Sequence, residues 1–318
     1  MFELQRWTNK DIESRFTLRE FETKIGQDVM QTATKKYKII GVEESIGPRA
    51  NAGNSGAENA FEAFCQKFLN MQSTNDLRFD AVTILGKVVL FENEKNSNLK
   101  EQVESLDKYL LLLLQSEIKD GEIPIIIGGG HNNALPLVRF NEARFQKPLQ
   151  VINFDAHADY RPLEGRHSGN PFSYAFSEQK MKYYSVIGLH KRYNSQKILD
   201  GLKQNGHFHR FFEDYLDEKH SFSEDLSRLY DLALKRELPL GIELDLDTIS
   251  MMPSSAMSPS AFSMTQARKY VRKLAAVPRV CYVHIPEGAP KNAQEEVVVG
   301  KALAYLVSDF IEIHSNLR

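Results

Sequence analysis

From residue 38 onward, short apolar or β-branched runs alternate with longer stretches in which apolar residues recur every three or four positions. The short runs, at 36–43, 81–91, 123–129, 150–155, 183–189, 207–212, 240–246 and 279–285, predict strands. The longer stretches, at 57–71, 95–118, 132–145, 171–181, 193–205, 223–236, 265–277 and 291–315, predict helices, the last opening just after Pro290. Strands and helices taking turns build a mainly parallel sheet with helices on both faces, so the fold class is α/β with three layers. The Gly- and Asn-rich stretch SIGPRANAGNSGAENAF, 45–61, reads as a long loop leading into a helix. No linker or internal repeat divides the chain. A single domain over 1–318 is therefore expected, with 1–35 an N-terminal extension packed on it.

Charge and composition narrow the function. Forty basic against 42 acidic residues in 318 leave a formal net charge of −2, which gives no footprint for nucleic acid or an anionic membrane. The longest apolar patch, YLLLLL at 109–114, is far too short to span a bilayer, and the charged N-terminus lacks an apolar signal core. Cys65 and Cys281 stand far apart, which argues against a disulfide framework or a thiolate metal site and fits buried thiols in a reducing cytoplasm. Small-molecule chemistry is the class that remains.

Three strand ends carry that chemistry. VINFDAHADYR places Asp155, His157 and Asp159 at alternate positions after an apolar run, IPIIIGGGH ends in His131, and LGIELDLDT ends in Asp245 and Asp247. Residues two apart on a strand share a face, so each set is expected to converge on one spot at the strand's C-terminal edge. A lone Asp or His is ordinarily a hydrogen-bonded core or turn residue. Four Asp and two His together are hard to bury as unpaired charges, and a pair of divalent ions neutralises them most directly. The oxygen-rich set suits a hard or borderline ion such as Mn(II). The ends of parallel strands are also where open α/β sheets bind ligands. IIIGGGHNNAL has neither the G-x-G-x-x-G spacing nor the G-K-[ST] of a phosphate loop, which removes a nucleotide site.

GGGH at 128–131, DAHAD at 155–159 and DLD at 245–247, in that order, resemble the ureohydrolases: arginase, agmatinase and formimidoylglutamase. The resemblance extends in weaker form from about residue 38 to the C-terminal helix. It implies one α/β domain with a parallel eight-stranded sheet, two Mn(II) ions per chain, and a homo-oligomer, trimeric or hexameric. It also implies that His131, Asp155, Asp159 and Asp245 hold one ion and Asp155, His157, Asp245 and Asp247 the other, with Asp155 and Asp245 shared. Such an ion pair lowers the pKa of water and so supplies a nucleophile for the planar carbon of an amidine or guanidine. By the same resemblance Asp159 handles the proton, and Glu287 in YVHIPEGAP grips the cationic C–N group of the substrate.

Departures from the family pattern bear on the substrate. Arginases and agmatinases continue the last motif as D-x-D-x-x-D-P, where this chain has Ser250 and Met251, and Glu243 adds an unassigned acid two residues before Asp245. After DAHAD the run YRPLEGRHSGNPF is closest to formimidoylglutamases, with His167 one residue further from the glycine than the agmatinase histidine, a candidate proton shuttle. N-formimidoyl-L-glutamate carries two carboxylates and an amidinium. Arg161 is the candidate carboxylate clamp, because a guanidinium pairs with carboxylate in a fixed bidentate geometry. Arg49 and Arg166 are further cations, each expected to be a solvated loop residue. The reading is thus a manganese hydrolase of linear amidine C–N bonds, with N-formimidoyl-L-glutamate first, a guanidine compound releasing urea second, and a catalytically silent metal-binding relative third.

Overall fold

The computed structural model describes residues 2–31, 35–91 and 98–317. Eight of its strands are mutually parallel: β2 (Tyr37–Glu43), β3 (Val82–Leu90), β4 (Ile123–Ile127), β5 (Leu149–Phe154), β6 (Met181–Leu189), β7 (Phe208–Phe211), β8 (Leu240–Leu244) and β9 (Val280–Ile285). Central strands such as IPIII and LQVINF are buried at every position, which is what covering both faces of a parallel sheet requires.

The expected eight-stranded sheet needs one correction. A ninth strand, β1 (Phe2–Arg6), lies antiparallel along β3, with Leu4 opposite Val88, and gives the order β1-β3-β2-β4-β9-β8-β5-β6-β7. Part of the expected extension is therefore sheet. Short helices at Asn9–Glu13 and Ile25–Val29 follow it, and Met1 and residues 32–34 lie outside the described residues. The stretch 45–61 also differs from a plain loop, because it holds a helical turn at Ile46–Ala50 and another at Ala57–Asn59.

Helices cover both faces. Ala60–Phe68, Phe222–Arg236, Met264–Ala275 and Ala293–Ser315 enclose one apolar core, which includes Phe64, Leu226, Tyr270 and Phe310. Leu99–Glu117, Ala134–Phe145, Pro171–Ser177 and Gln196–Gln204 enclose the other with Leu106, Leu135, Phe172 and Leu202. The predicted helix 95–118 begins at Leu99, its residues 95–97 lying outside the described ones. Ser263 and Gln266 form a capping box at the start of Met264–Ala275, each side chain accepting the other's backbone N–H.

One topological detail locates the site. The chain passes from β4 to β5, yet β9 and β8 lie between them in the sheet. The loops after β4 and β5 therefore leave the sheet on either side of a gap, which the ends of β8 and β9 fill. Such a switch point forms a crevice above the strand ends.

Candidate metal centre

His131 enters the crevice from β4. Gly128 and Gly129 take φ of 82° and 69°, and a Cβ on Gly129 would stand 2.5 Å from Asn133 Nδ2. The loop is held from below by Glu44, buried just past β2. Its Oε1 accepts from Gly130 N–H at 2.8 Å, Asn133 Nδ2 at 3.0 Å and Asn132 Nδ2 at 3.2 Å, and its Oε2 accepts from Gly47 N–H at 3.0 Å. Sequence reasoning missed Glu44. The signal was an acid at the end of an apolar strand, the same signal that marks the other site residues.

The D-x-H and D-x-D spacings work differently from the strand alternation expected of them. β5 stops at Phe154 and β8 at Leu244, so Asp155 and Asp245 are the first residues beyond the strands. Each carboxylate then accepts the backbone N–H two residues on: His157 N–H to Asp155 Oδ1 at 2.7 Å, Asp247 N–H to Asp245 Oδ1 at 2.8 Å. These are Asx turns, and they fold the second member of each motif back beside the first.

All six sequence candidates meet there. His131 Nδ1 lies 2.9 Å from Asp159 Oδ2, 3.1 Å from Asp245 Oδ2 and 3.3 Å from Asp155 Oδ2. Beside it His157 Nδ1 lies 2.9 Å from Asp247 Oδ2 and 3.7 Å from Asp155 Oδ1. Asp155 thus offers one oxygen to each group. Ring stacking orients His157: Tyr193 lies parallel to it at 5.3 Å, and His190 and Phe212 continue the stack at 4.8 and 4.9 Å.

The electrostatics are those of a site built for added positive charge. Among the described residues no Lys or Arg pairs with Asp155, Asp159, Glu243, Asp245, Asp247 or Glu287. Burial, with the charge of Asp155 adding to it, pushes the Asp159 carboxyl up to about 6, and burial pushes Glu287 up to about 7. His131 moves the opposite way: burial opposes its charge, but the surrounding carboxylates of Asp155, Asp159, Asp245 and Glu243 raise its pKa well above the ordinary value. Asp247 Oδ1 is buried with no hydrogen-bond partner among the described residues. Carboxylates and imidazoles converging at contact distance, with an oxygen left over, fit two hard divalent ions.

Glu287 follows β9. Its Oε1 accepts from His131 N–H at 2.9 Å and its Oε2 from Ser255 Oγ at 2.6 Å. Asp159 and Glu287 both hold positive φ, 45° and 67°, a left-handed conformation unusual for carboxylate residues outside turns and often found at functional sites. Both line a cavity of about 240 Å³ together with His157, Asp245, Asp247 and Arg161. Ser255 and Ala256 line it too. They come from the loop after Ser250 and Met251, whose ends are tied by Ser250 N–H to Phe262 O and Met251 N–H to Ser258 O, both 2.8 Å.

The remaining candidates fall elsewhere. Arg161 is half-exposed at the cavity wall with Nε 2.9 Å from Glu164 Oε1. His167 does not line the cavity. Its Nδ1 accepts from Gly169 N–H at 3.1 Å, its Nε2 lies 3.2 Å from Glu164 Oε1, and burial lowers its pKa to about 4. It ties the loop together. Arg166 is not the solvated cation expected but is buried, with Nε 2.8 Å from Asp107 Oδ2 and its Nη2 donating to Asn132 O at 3.0 Å. Arg49 is exposed, as expected, but stands on the helical turn Ile46–Ala50 rather than on a loop.

The family follows from residues 35–311, which match the model of the arginase family. The chain belongs to the arginase family. Among its curated relatives, a formimidoylglutamase from a Geobacillus species is 24% identical over 329 aligned positions, spanning 99% of this chain and 96% of that one. The arginase-family fold is seen again in the formimidoylglutamase of Bacillus subtilis, with a TM-score of 0.78 at 17% identity over 94% of each chain. Trypanosoma cruzi formiminoglutamase, solved with two Mn2+, superposes with a TM-score of 0.74 at 20% identity over 91% of this chain and 98% of that one.

Proposed function

We propose that this arginase-family chain is a binuclear manganese hydrolase of linear amidine C–N bonds, and that it converts N-formimidoyl-L-glutamate and water to L-glutamate and formamide. The observation that carries the reading is the convergence of His131 Nδ1 on Asp159, Asp245 and Asp155 at 2.9 to 3.3 Å, beside the His157–Asp247 pair, at the wall of a cavity bordered by Arg161. The curated relatives and the solved formiminoglutamases support the substrate class.

His131, Asp155, Asp159 and Asp245 would hold one ion, and Asp155, His157, Asp245 and Asp247 the other. Bound there, the ions supply Lewis acidity and ionise water near neutral pH. The chain does the rest. Glu287, fixed by His131 N–H and Ser255 Oγ, faces the amidinium and orients its planar C–N group. Asp159, with one oxygen turned to the His131 cluster, keeps the other for the nucleophile's proton and passes it to the departing α-amino nitrogen of glutamate. Arg161 takes a substrate carboxylate, exchanging its exposed pairing with Glu164 for a bidentate one. His167, buried and neutral outside the cavity, has no part in the proton path.

The test is release of formamide and glutamate from N-formimidoyl-L-glutamate by Mn(II)-loaded protein, beside urea release from arginine, agmatine and guanidino acids. Turnover of the first alone is expected. Urea from any of the others would keep the metal chemistry and overturn the substrate. Silence across the panel with two ions bound would favour the non-catalytic relative. The same reading takes 1–318 as one domain of a cytoplasmic homo-oligomer, trimeric or hexameric, for which sedimentation of the metal-loaded protein is the measurement. No helix among the described residues is long and apolar enough to cross a membrane.

A further inference from the structure

Below the metal centre lies an acid that the mechanism does not use. Glu243 is fully buried on β8, and the parallel register sets it beside His284 on β9. Its Oε2 accepts from His284 Nδ1 at 2.7 Å and its Oε1 from Tyr282 OH at 2.8 Å. Gly241 makes room for that tyrosine, since a Cβ there would stand 2.4 Å from the ring. Oε2 also lies 3.4 Å from His131 Nε2, a buried nitrogen with no hydrogen-bond partner among the described residues.

We infer that Glu243 is a positioning residue that sets the tautomer and ring plane of His131 for metal binding. The step rests on the metal-centre reading above. A neutral imidazole carries one N–H. If Nδ1 turns its lone pair to a cation among the three Asp oxygens, the proton resides on Nε2, and Glu243 Oε2 is the acceptor facing that nitrogen. A carboxylate behind a ligating histidine fixes the ring and makes the ligand nitrogen more basic. Tyr282 and His284 each occupy a Glu243 oxygen and hold the carboxylate in place.

Two variants test this. Glu243→Met fills the space without an acceptor, while Glu243→Gln keeps a carbonyl that can take the Nε2 proton. Mn(II) titration followed by the EPR signal of the free ion reads both affinities, and thermal melting of the metal-free protein reads folding. Glu243→Met is expected to weaken the His131-side ion by about 10- to 100-fold, the range for lost outer partners of metal ligands. Glu243→Gln is expected to recover part of that loss, and the His157-side ion should change less in both. Should Glu243→Met fail to fold, Glu243→Gln alone still decides, with a weakening of about several-fold expected and none overturning the inference. Unaltered affinity at both sites, or a loss matched by a fall in metal-free stability with no recovery by Gln, would overturn it. So would a third ion per chain that the variants remove, since Glu243 and His284 would then be ligands themselves. Wild-type protein that binds no Mn(II) would instead bring down the metal-centre reading.

Discussion

Glu287 accepts the main-chain N–H of His131 at 2.9 Å, so the carboxylate proposed to face the substrate is braced by the backbone of a candidate metal ligand. Charge rather than shape is then what Glu287→Gln removes. Because hydrogen bonds to charged partners contribute about 1.5–3 kcal/mol, kcat/KM for the amidine should fall by about 10- to 100-fold. Metal content should stay at the wild-type value. Steady-state kinetics with metal analysis on the same preparation checks this, and loss of metal would show that the residue serves the centre instead.

Arg161 separates the substrates. Arg161→Met should raise KM for N-formimidoyl-L-glutamate by about 10- to 100-fold, the worth of a charge-assisted bidentate contact. Any residual turnover of a cationic guanidine compound should barely change. Equal losses on both would remove the reason for assigning the arginine to a carboxylate.

Removal of metal should soften the protein. Acids gathered without a Lys or Arg partner repel one another once the ions leave, so chelation lowers Tm and added Mn(II) raises it. The rise should continue with concentration beyond saturation, by about 2.7 kcal/mol at a hundredfold excess over Kd. Calorimetry across a Mn(II) series reads it. A flat series would mean that the cluster is neutralised by protons alone.

Arg166 has a structural task. Its ion pair with Asp107 is buried, and its other nitrogens reach Asn132 O and Asn170 Oδ1, at 3.0 and 2.6 Å, tying the loop after DAHAD to the turn that carries His131. Arg166→Met leaves Asp107 alone, at a cost of about 3–5 kcal/mol. Denaturant unfolding should show that loss, while the simultaneous Arg166→Met and Asp107→Leu replacement should recover much of it.

His314 sets a pH dependence remote from the centre. Burial lowers its pKa to about 4, its Nδ1 lies 3.0 Å from Tyr37 OH, and its ring stacks on Phe310. The folded pKa lies below the unfolded one of about 6.5, so the unfolded chain binds the proton more tightly. The contribution to stability is complete above about pH 6.5 and is lost as pH falls towards 4, about 3 kcal/mol in all. His314→Gln should flatten that part of the stability profile. An unchanged slope would mean that the dependence arises elsewhere, His207 being the next candidate because burial also lowers its pKa to about 4.

What the sequence made legible was whatever sat where an apolar run breaks into charge. His131, Asp155, His157, Asp159, Asp245 and Asp247 stand out because buried strands do not end in such residues without a reason. Their convergence was read correctly but through the wrong geometry, since the carboxylate of each leading Asp turns the chain after the strand has stopped. Glu44 and Glu243 were harder to interpret because their partners come from distant segments: backbone and amide donors at 130–133 for one, Tyr282 and His284 for the other. Arg166 looked like a loop cation because its partner, Asp107, lies 59 positions away. β1 has only Phe2 and Leu4 as a pattern, too short to distinguish from an extension until β3 is there to pair with it.

That first strand also sets which edge the sheet offers at this margin. With β1 the margin of the sheet is a strand of five residues, whereas without residues 2–6 it would be the nine-residue β3, a longer row of free main-chain donors and acceptors open to strand addition between molecules. The bidentate contact of Arg6 with Glu117, at 2.7 and 3.0 Å, pins this edge strand to the helix beside it. Deleting those few residues would leave the crevice untouched and still turn the protein toward aggregation.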